Sequence, residues 1–228
     1  MSLWFFKSRQ ISQTKIADGY DALPKFGVSA GYYKNTIKNL GNIKGKVLDI
    51  GCGYGDLLLD LKKENPSIEM YGVDICKKAI DHCKKLGINA SVANAQQLTE
   101  IKDNYFDWVL MSAMIEHVID QKEALDEACR VLKTGGKLFL STDNLIWQLI
   151  MYSKNILFPW KERYKRFKQP IDDEFTYRGL KKLLAKSNFK IVKRLRSGPF
   201  AIGEKYLRKY DWSICLHKRH WLICEKIS

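Results

Sequence analysis

The chain has 228 residues, 46% of them apolar and 12% aromatic, which suits one α/β domain with a full core and excludes extensive disorder. Its net charge of +14 is uneven: residues 1–150 hold 19 Lys and Arg against 18 Asp and Glu (+1), while residues 151–228 hold 20 against 7 (+13). The balanced first two thirds exclude a chain that is basic throughout, and the basic third suits an anionic partner, a negatively charged membrane surface or a solvated lysine-rich face.

In chain order, the start "MSLWFFKSRQ" lacks the apolar core and cleavage site of a secretory signal, and the six cysteines form no CxxC pair. Both point to reduced thiols and a cytoplasmic, or peripheral membrane, location. Residues 1–45 read as a helical cap carrying Tyr20, Tyr32 and Tyr33. From residue 46 to 142 strands and helices alternate. "KVLDI", "EMYGVDI", "INASVA", "FDWVLMSA" and "KLFLST" are near-continuous apolar strands; Asp56 to Lys63 and "KKAIDHCKKLG" are helices. "KEALDEACRVLKTGG" reads as an amphipathic helix closed by Gly135 and Gly136. Such alternation predicts a doubly wound parallel sheet in three α/β/α layers. Residues 143–175 interrupt the rhythm with "LIWQLIMYSKNILFPW" and then "KERYKRFKQP"; residues 176–228 close with a helix, "TYRGLKKLLAKSNF", and the strands "KIVKRLR" and "RHWLICEKI".

The stretch "VLDIGCGYGDLL" sets Gly51, Gly53 and Gly55 at a strand-to-helix turn, where bare backbone faces a ligand. The spacing is G-x-G-x-G and not the G-x-G-x-x-G of dinucleotide sites. Asp49 sits where a pyrophosphate would lie, which repels a dinucleotide and suits a cationic amino acid or a sulfonium. Asp74 ends the next strand, where a carboxylate accepts from ribose hydroxyls. A ribose, a cationic amino acid part and no phosphate describe S-adenosylmethionine.

"VLDIGCGYGDLL", "YGVDI", "ANAQQL", "NYFDWVLMSAMIEHV" and "EACRVLKTGGKLFLST" together resemble the class I S-adenosylmethionine-dependent methyltransferases, nearest their ubiquinone and menaquinone biosynthesis branch. The resemblance implies a Rossmann-like seven-stranded sheet whose last strand, "RHWLICEKI", runs antiparallel. It implies that Asp49, Gly51, Cys52 and Gly53 hold the methionine part, and that Asp74 takes the ribose with Ile75 on adenine. Asn94 and Ala95 would flank the adenine amino group, and Met111 and Ser112 would border the methyl-transfer channel. Many relatives have Asp at position 94; the Asn carbonyl can still accept a hydrogen bond.

Glu116 and His117 follow the fourth strand at the ligand-binding edge and could take a proton from the acceptor; a structural helix-start pair is the alternative. Cys52 reads as a small turn residue, and His217 with His220 lacks the partners of a metal site, so no metal is expected. Asp172, Asp173 and Glu174 read as partners of the following helix dipole. The segment Leu145 to Lys168, with Trp147 and Trp160 before its cations, reads as a substrate lid for an amphiphile, or as a helical pair on the sheet edge. The expected function is methyl transfer to a small-molecule or lipid-like acceptor by direct displacement. RNA methylation through the basic third and non-catalytic cofactor binding are the alternatives.

Overall fold

A computed structural model describes residues 17–19, 21, 30–157, 173–195 and 219–227. Tyr20, Phe158, Trp160, the basic run over 161–168, Asp172 and His217 lie outside the described residues, as does the side chain of Tyr32. Within them, helix α1 (Ala30–Leu40) precedes strand β1 (Lys46–Ile50), α2 (Asp56–Glu64), β2 (Glu69–Asp74), α3 (Lys77–Lys85) and β3 (Asn89–Val92). The chain continues with β4 (Phe106–Ser112), a 3-10 turn (Ile115–His117), α4 (Gln121–Val131), β5 (Leu132–Asp143) and α5 (Leu145–Leu157). Last come α6 (Tyr177–Lys186), β6 (Phe189–Leu195) and β7 (Arg219–Lys226).

The seven strands form one sheet in the order β3-β2-β1-β4-β5-β7-β6. The first five are parallel, and β7 enters antiparallel between β5 and β6. Alternate residues of β4 serve opposite faces, as the period of a strand requires. Val109 and Met111 pack with Ala124, Leu125 and Ala128 of α4 and Leu180 and Leu184 of α6. Leu110 joins Leu57, Leu58 and Leu61 of α2 and Ile80 and Cys83 of α3 on the other face. Strands that are apolar on both faces thus carry helices on both, giving the three layers.

Helix α4 is shorter than its sequence period suggests. Its amino end is capped by Asp120, whose carboxylate accepts from the backbone N–H groups of Lys122 and Glu123 at 2.9 and 3.1 Å. It stops at Val131, not at Gly135 and Gly136. The amides of Asn104 and Tyr105 donate to the carbonyls of Arg130 and Val131, and Leu132 pairs with Phe106 in the sheet. These long-range partners pull "LKTGG" into β5. Of the acids ahead of α6, Asp173 differs from expectation: Thr176 caps that helix, accepting from Gly179 N at 3.1 Å, and the first turn holds no acid. Asp173 instead accepts from the Gln121 side chain at 3.2 Å, and its own amide donates to the carbonyl of Glu116 at 2.8 Å.

Candidate functional site

The parallel strands end at one edge of the sheet, and the residues singled out in the sequence gather along it. β1 delivers Asp49 there, 2% exposed, with a carboxylate oxygen, Oδ1, that has no hydrogen-bond partner. Burial, reinforced by the Asp74 carboxylate, pushes the Asp49 carboxyl well above its ordinary range. An orphaned buried acid is costly, and a cation arriving beside it removes that cost.

The three glycines are required for two different reasons. A Cβ at Gly51 would sit 2.8 Å from Cβ of Met114, and one at Gly55 would sit 2.5 Å from Cδ1 of Ile88. Those two excluded side chains face the protein's own packing. At Gly53 a Cβ would meet nothing within 4 Å, so the turn opens outward only there. All three have positive φ (76°, 51° and 81°), which favours glycine in any case.

Asp74 ties the turn to the tip of β2. Its Oδ2 accepts from the Gly53 amide at 2.8 Å, and its Oδ1 accepts from the Cys76 amide at 2.8 Å. Burial raises its carboxyl above the usual range, against the pull of these amides. A carboxylate oxygen has lone pairs beyond those used, so a vicinal diol can still bind. Ile75 follows, partly exposed. After β3, the side-chain oxygen of Asn94 accepts from the Gln96 amide at 3.1 Å, while Ala95 is 8% exposed and belongs to the core. Cys52 is buried behind the turn.

At the tip of β4 the two paired residues divide. Met111 has no accessible surface and packs into the core, so its side chain does not border an open channel; Ser112 is partly exposed. Beyond them Glu116 lies buried in the 3-10 turn, its Oε2 accepting from the Thr142 hydroxyl at 2.9 Å. Burial first, then the charge of Asp143, pushes its carboxyl up to about 7. Nε2 of His117 stands 3.9 Å from Oε1 of Glu116. Tyr33 packs half-buried on the α2–α3 face, and Trp147 is half-buried in α5.

The sequence reading missed the polar residues at the end of β5. Asp143 pairs with Arg219, the first residue of β7, at 2.8 Å, and accepts from the Gln148 side chain at 3.2 Å. An acid closing the apolar run "KLFLSTD" is the same signal that drew attention to Asp49 and Asp74.

The edge therefore has two parts. Over β1, β2 and β3 it presents carboxylates, an open glycine turn and an orphaned Asp49 oxygen. Those features fit a nucleoside joined to a cationic amino acid. Over β4 and β5 it presents Glu116 and its neighbours.

The methyltransferase domain family matches residues 48–140. The chain is 35% identical over 108 residues to the mitochondrial ubiquinone biosynthesis O-methyltransferase of Homo sapiens, covering 43% of this chain and 29% of that protein. It is 32% identical over 139 residues to the ubiquinone/menaquinone biosynthesis C-methyltransferase of Rickettsia typhi, covering 54% and 56%. The chain thus spans about half or less of the length of these curated relatives. Among solved structures, the fold is similar to an S-adenosylmethionine dependent methyltransferase of Mesorhizobium loti (TM-score 0.64, 14% identity, covering 88% of this chain and 100% of that one). It is also similar to an S-adenosylmethionine-dependent methyltransferase of Methanosarcina mazei (TM-score 0.58, 24% identity, covering 89% and 99%).

Proposed function

We propose that this chain, which carries a class I S-adenosylmethionine-dependent methyltransferase domain of the ubiquinone/menaquinone branch, methylates an aromatic, hydroxyl-bearing acceptor with an apolar tail. The observation that carries the cofactor half is the buried, unpartnered carboxylate oxygen of Asp49 beside the opening at Gly53. When bound, S-adenosylmethionine supplies an electrophilic methyl group on a sulfonium. Asp49 receives the ammonium of its amino acid part, Asp74 the ribose hydroxyls, and Ile75, Asn94 and Ala95 border the base.

On the acceptor side Glu116 takes the proton of the attacking hydroxyl. A buried carboxyl near pH 7 is suited to that, since it is partly ionised at working pH and strongly basic when ionised. Thr142 keeps the carboxylate oriented. The remaining contribution is alignment of the two reactants in line, away from water. Leu149 and Tyr152 of α5, exposed beyond the end of β5, suit the apolar tail. This acceptor class follows the printed names of the curated relatives, which concern quinone biosynthesis.

The test is transfer of labelled methyl from S-adenosylmethionine to catechol and hydroquinone acceptors with and without a prenyl tail. Label should enter the prenylated aromatics, and Glu116→Gln should lower kcat by about 10²–10⁴-fold. Label entering none of them, with cofactor binding intact, excludes this acceptor class.

A further inference from the structure

Helix α3, which follows the ribose acid, begins without a cap of its own. Its N-cap residue is Cys76, whose side chain makes no capping hydrogen bond, and its first turn holds no acid. The first amides of a helix have no partner within it, and a carboxylate beside them is favoured. Asp21 supplies one from 55 residues earlier in the chain. Its Oδ1 accepts from the Cys76 thiol at 2.9 Å and lies 3.5 Å from the Lys78 amide. The Lys78 ammonium in turn donates to the backbone carbonyl of Asp21 at 2.7 Å.

Cys76 is therefore held from both sides. Its amide donates to Oδ1 of Asp74 at 2.8 Å, while its thiol donates to Asp21. A thiol is a weak donor, strengthened here by a charged acceptor. Burial, followed by the Asp21 carboxylate, pushes the thiol up to about 11, so it keeps its proton at working pH. The other oxygen of Asp74 is tied to the Gly53 amide at 2.8 Å, so the two amides together fix how that carboxylate is turned. Ile75 lies between Asp74 and Cys76. The residues given to the ribose and the base thus share one short span whose far end Asp21 holds. Hydrogen bonds behind ligand-contacting residues keep them within about 0.5 Å of the geometry that binding needs.

We infer that Asp21 is a positioning residue for the nucleoside: through Cys76 it sets the place of Ile75 and of the Asp74 carboxylate. Asp21 thereby enters the proposed cofactor site, on which this role rests, from ahead of every sequence motif, the first of which begins at Val47.

Calorimetry of the full chain with S-adenosylhomocysteine and with methylthioadenosine, which keeps the nucleoside and lacks the amino acid part, tests this role. Asp21→Ala and Cys76→Ala should each weaken both ligands by about tenfold, the loss of one charge-assisted hydrogen bond. The double variant should lose little more than either alone, since the two changes break one contact. Asp21→Asn keeps the acceptor and Cys76→Ser keeps the donor, so both should stay within about threefold of the wild type. Asp49→Asn should spare methylthioadenosine, which separates a nucleoside effect from a general one. Should Asp21→Ala fail to fold, Cys76→Ala breaks the same bond and decides the matter. Unchanged affinity in the folded alanine variants, additive losses in the double variant, equal losses in the conservative ones, or a loss confined to S-adenosylhomocysteine overturns the inference and leaves the cofactor site standing. A wild-type chain that binds neither ligand refutes the cofactor site itself, and the positioning role with it.

Discussion

Asp49 and Glu116 are both buried acids, and their environments assign them different work. Asp49 has an oxygen with nothing to accept from, so its charge is held in reserve for a cation. Asp49→Asn should weaken S-adenosylhomocysteine by about 1.5–3 kcal/mol, the loss of a charge-assisted hydrogen bond, which is roughly 10–150-fold in Kd. Because burial raises the free carboxyl and an ammonium lowers it, binding above the ordinary carboxylate range should release a proton. Calorimetry in buffers of different ionisation enthalpy detects that release, and Asp49→Asn should abolish it. An unchanged Kd in the variant removes Asp49 from the ammonium site. Glu116 makes a separate prediction about stability. Its folded carboxyl near pH 7 lies above the unfolded value near 4.5, so the folded state binds more protons between those limits. Stability therefore falls as pH rises from about 4.5 to about 7, by up to about 3 kcal/mol, and stays reduced above. Glu116→Gln should raise Tm at pH 8 and have little effect at pH 4.5; equal shifts at both would exclude the titration. Asp49 was legible in the sequence because a strand tip and a glycine turn define its place locally. The burial of Glu116 was not, since it depends on Thr142 and Asp143 of a strand that follows a whole helix later.

The glycine turn combines packing and opening, and the two can be separated by substitution. Gly55→Ala must move the Cδ1 end of Ile88 and strain a backbone at φ 81°, so it should cost the roughly 1–2 kcal/mol of left-handed strain plus the cost of repacking that methyl group. Gly53→Ala meets no protein atom, so it should cost only that strain in Tm while weakening S-adenosylhomocysteine more than Gly55→Ala does. Thermal unfolding and calorimetry on both variants check the pair; equal effects on binding would mean the turn does not open at Gly53. The strands and most helices were readable from their apolar periods. The end of α4 was not, because the amides of Asn104 and Tyr105 decide it from a loop far off in sequence. Likewise the G-x-G-x-G pattern suggested three glycines facing one ligand, whereas Met114 and Ile88 claim two of them.

At the scale of the whole molecule, the last strand is a structural member of the sheet. β7 buries Trp221, Leu222, Ile223 and Cys224 and separates β5 from β6. Ending the chain at residue 218 should leave β5 unpaired on one side, remove four buried side chains at about 1.5–3 kcal/mol each, and abolish cooperative unfolding. A soluble truncated chain with a normal melting transition would contradict this. The doubly wound order was legible in the alternation of elements, while the antiparallel entry of β7 came only with the resemblance, since an apolar strand carries no direction in its composition. The central claim concerns the cofactor edge that this sheet builds, and titration of the full, reduced chain with S-adenosylhomocysteine and with NAD tests it most directly. S-adenosylhomocysteine should bind one to one with release of protons, and NAD should not bind comparably. A folded chain that ignores S-adenosylhomocysteine, or binds NAD as well, contradicts the account.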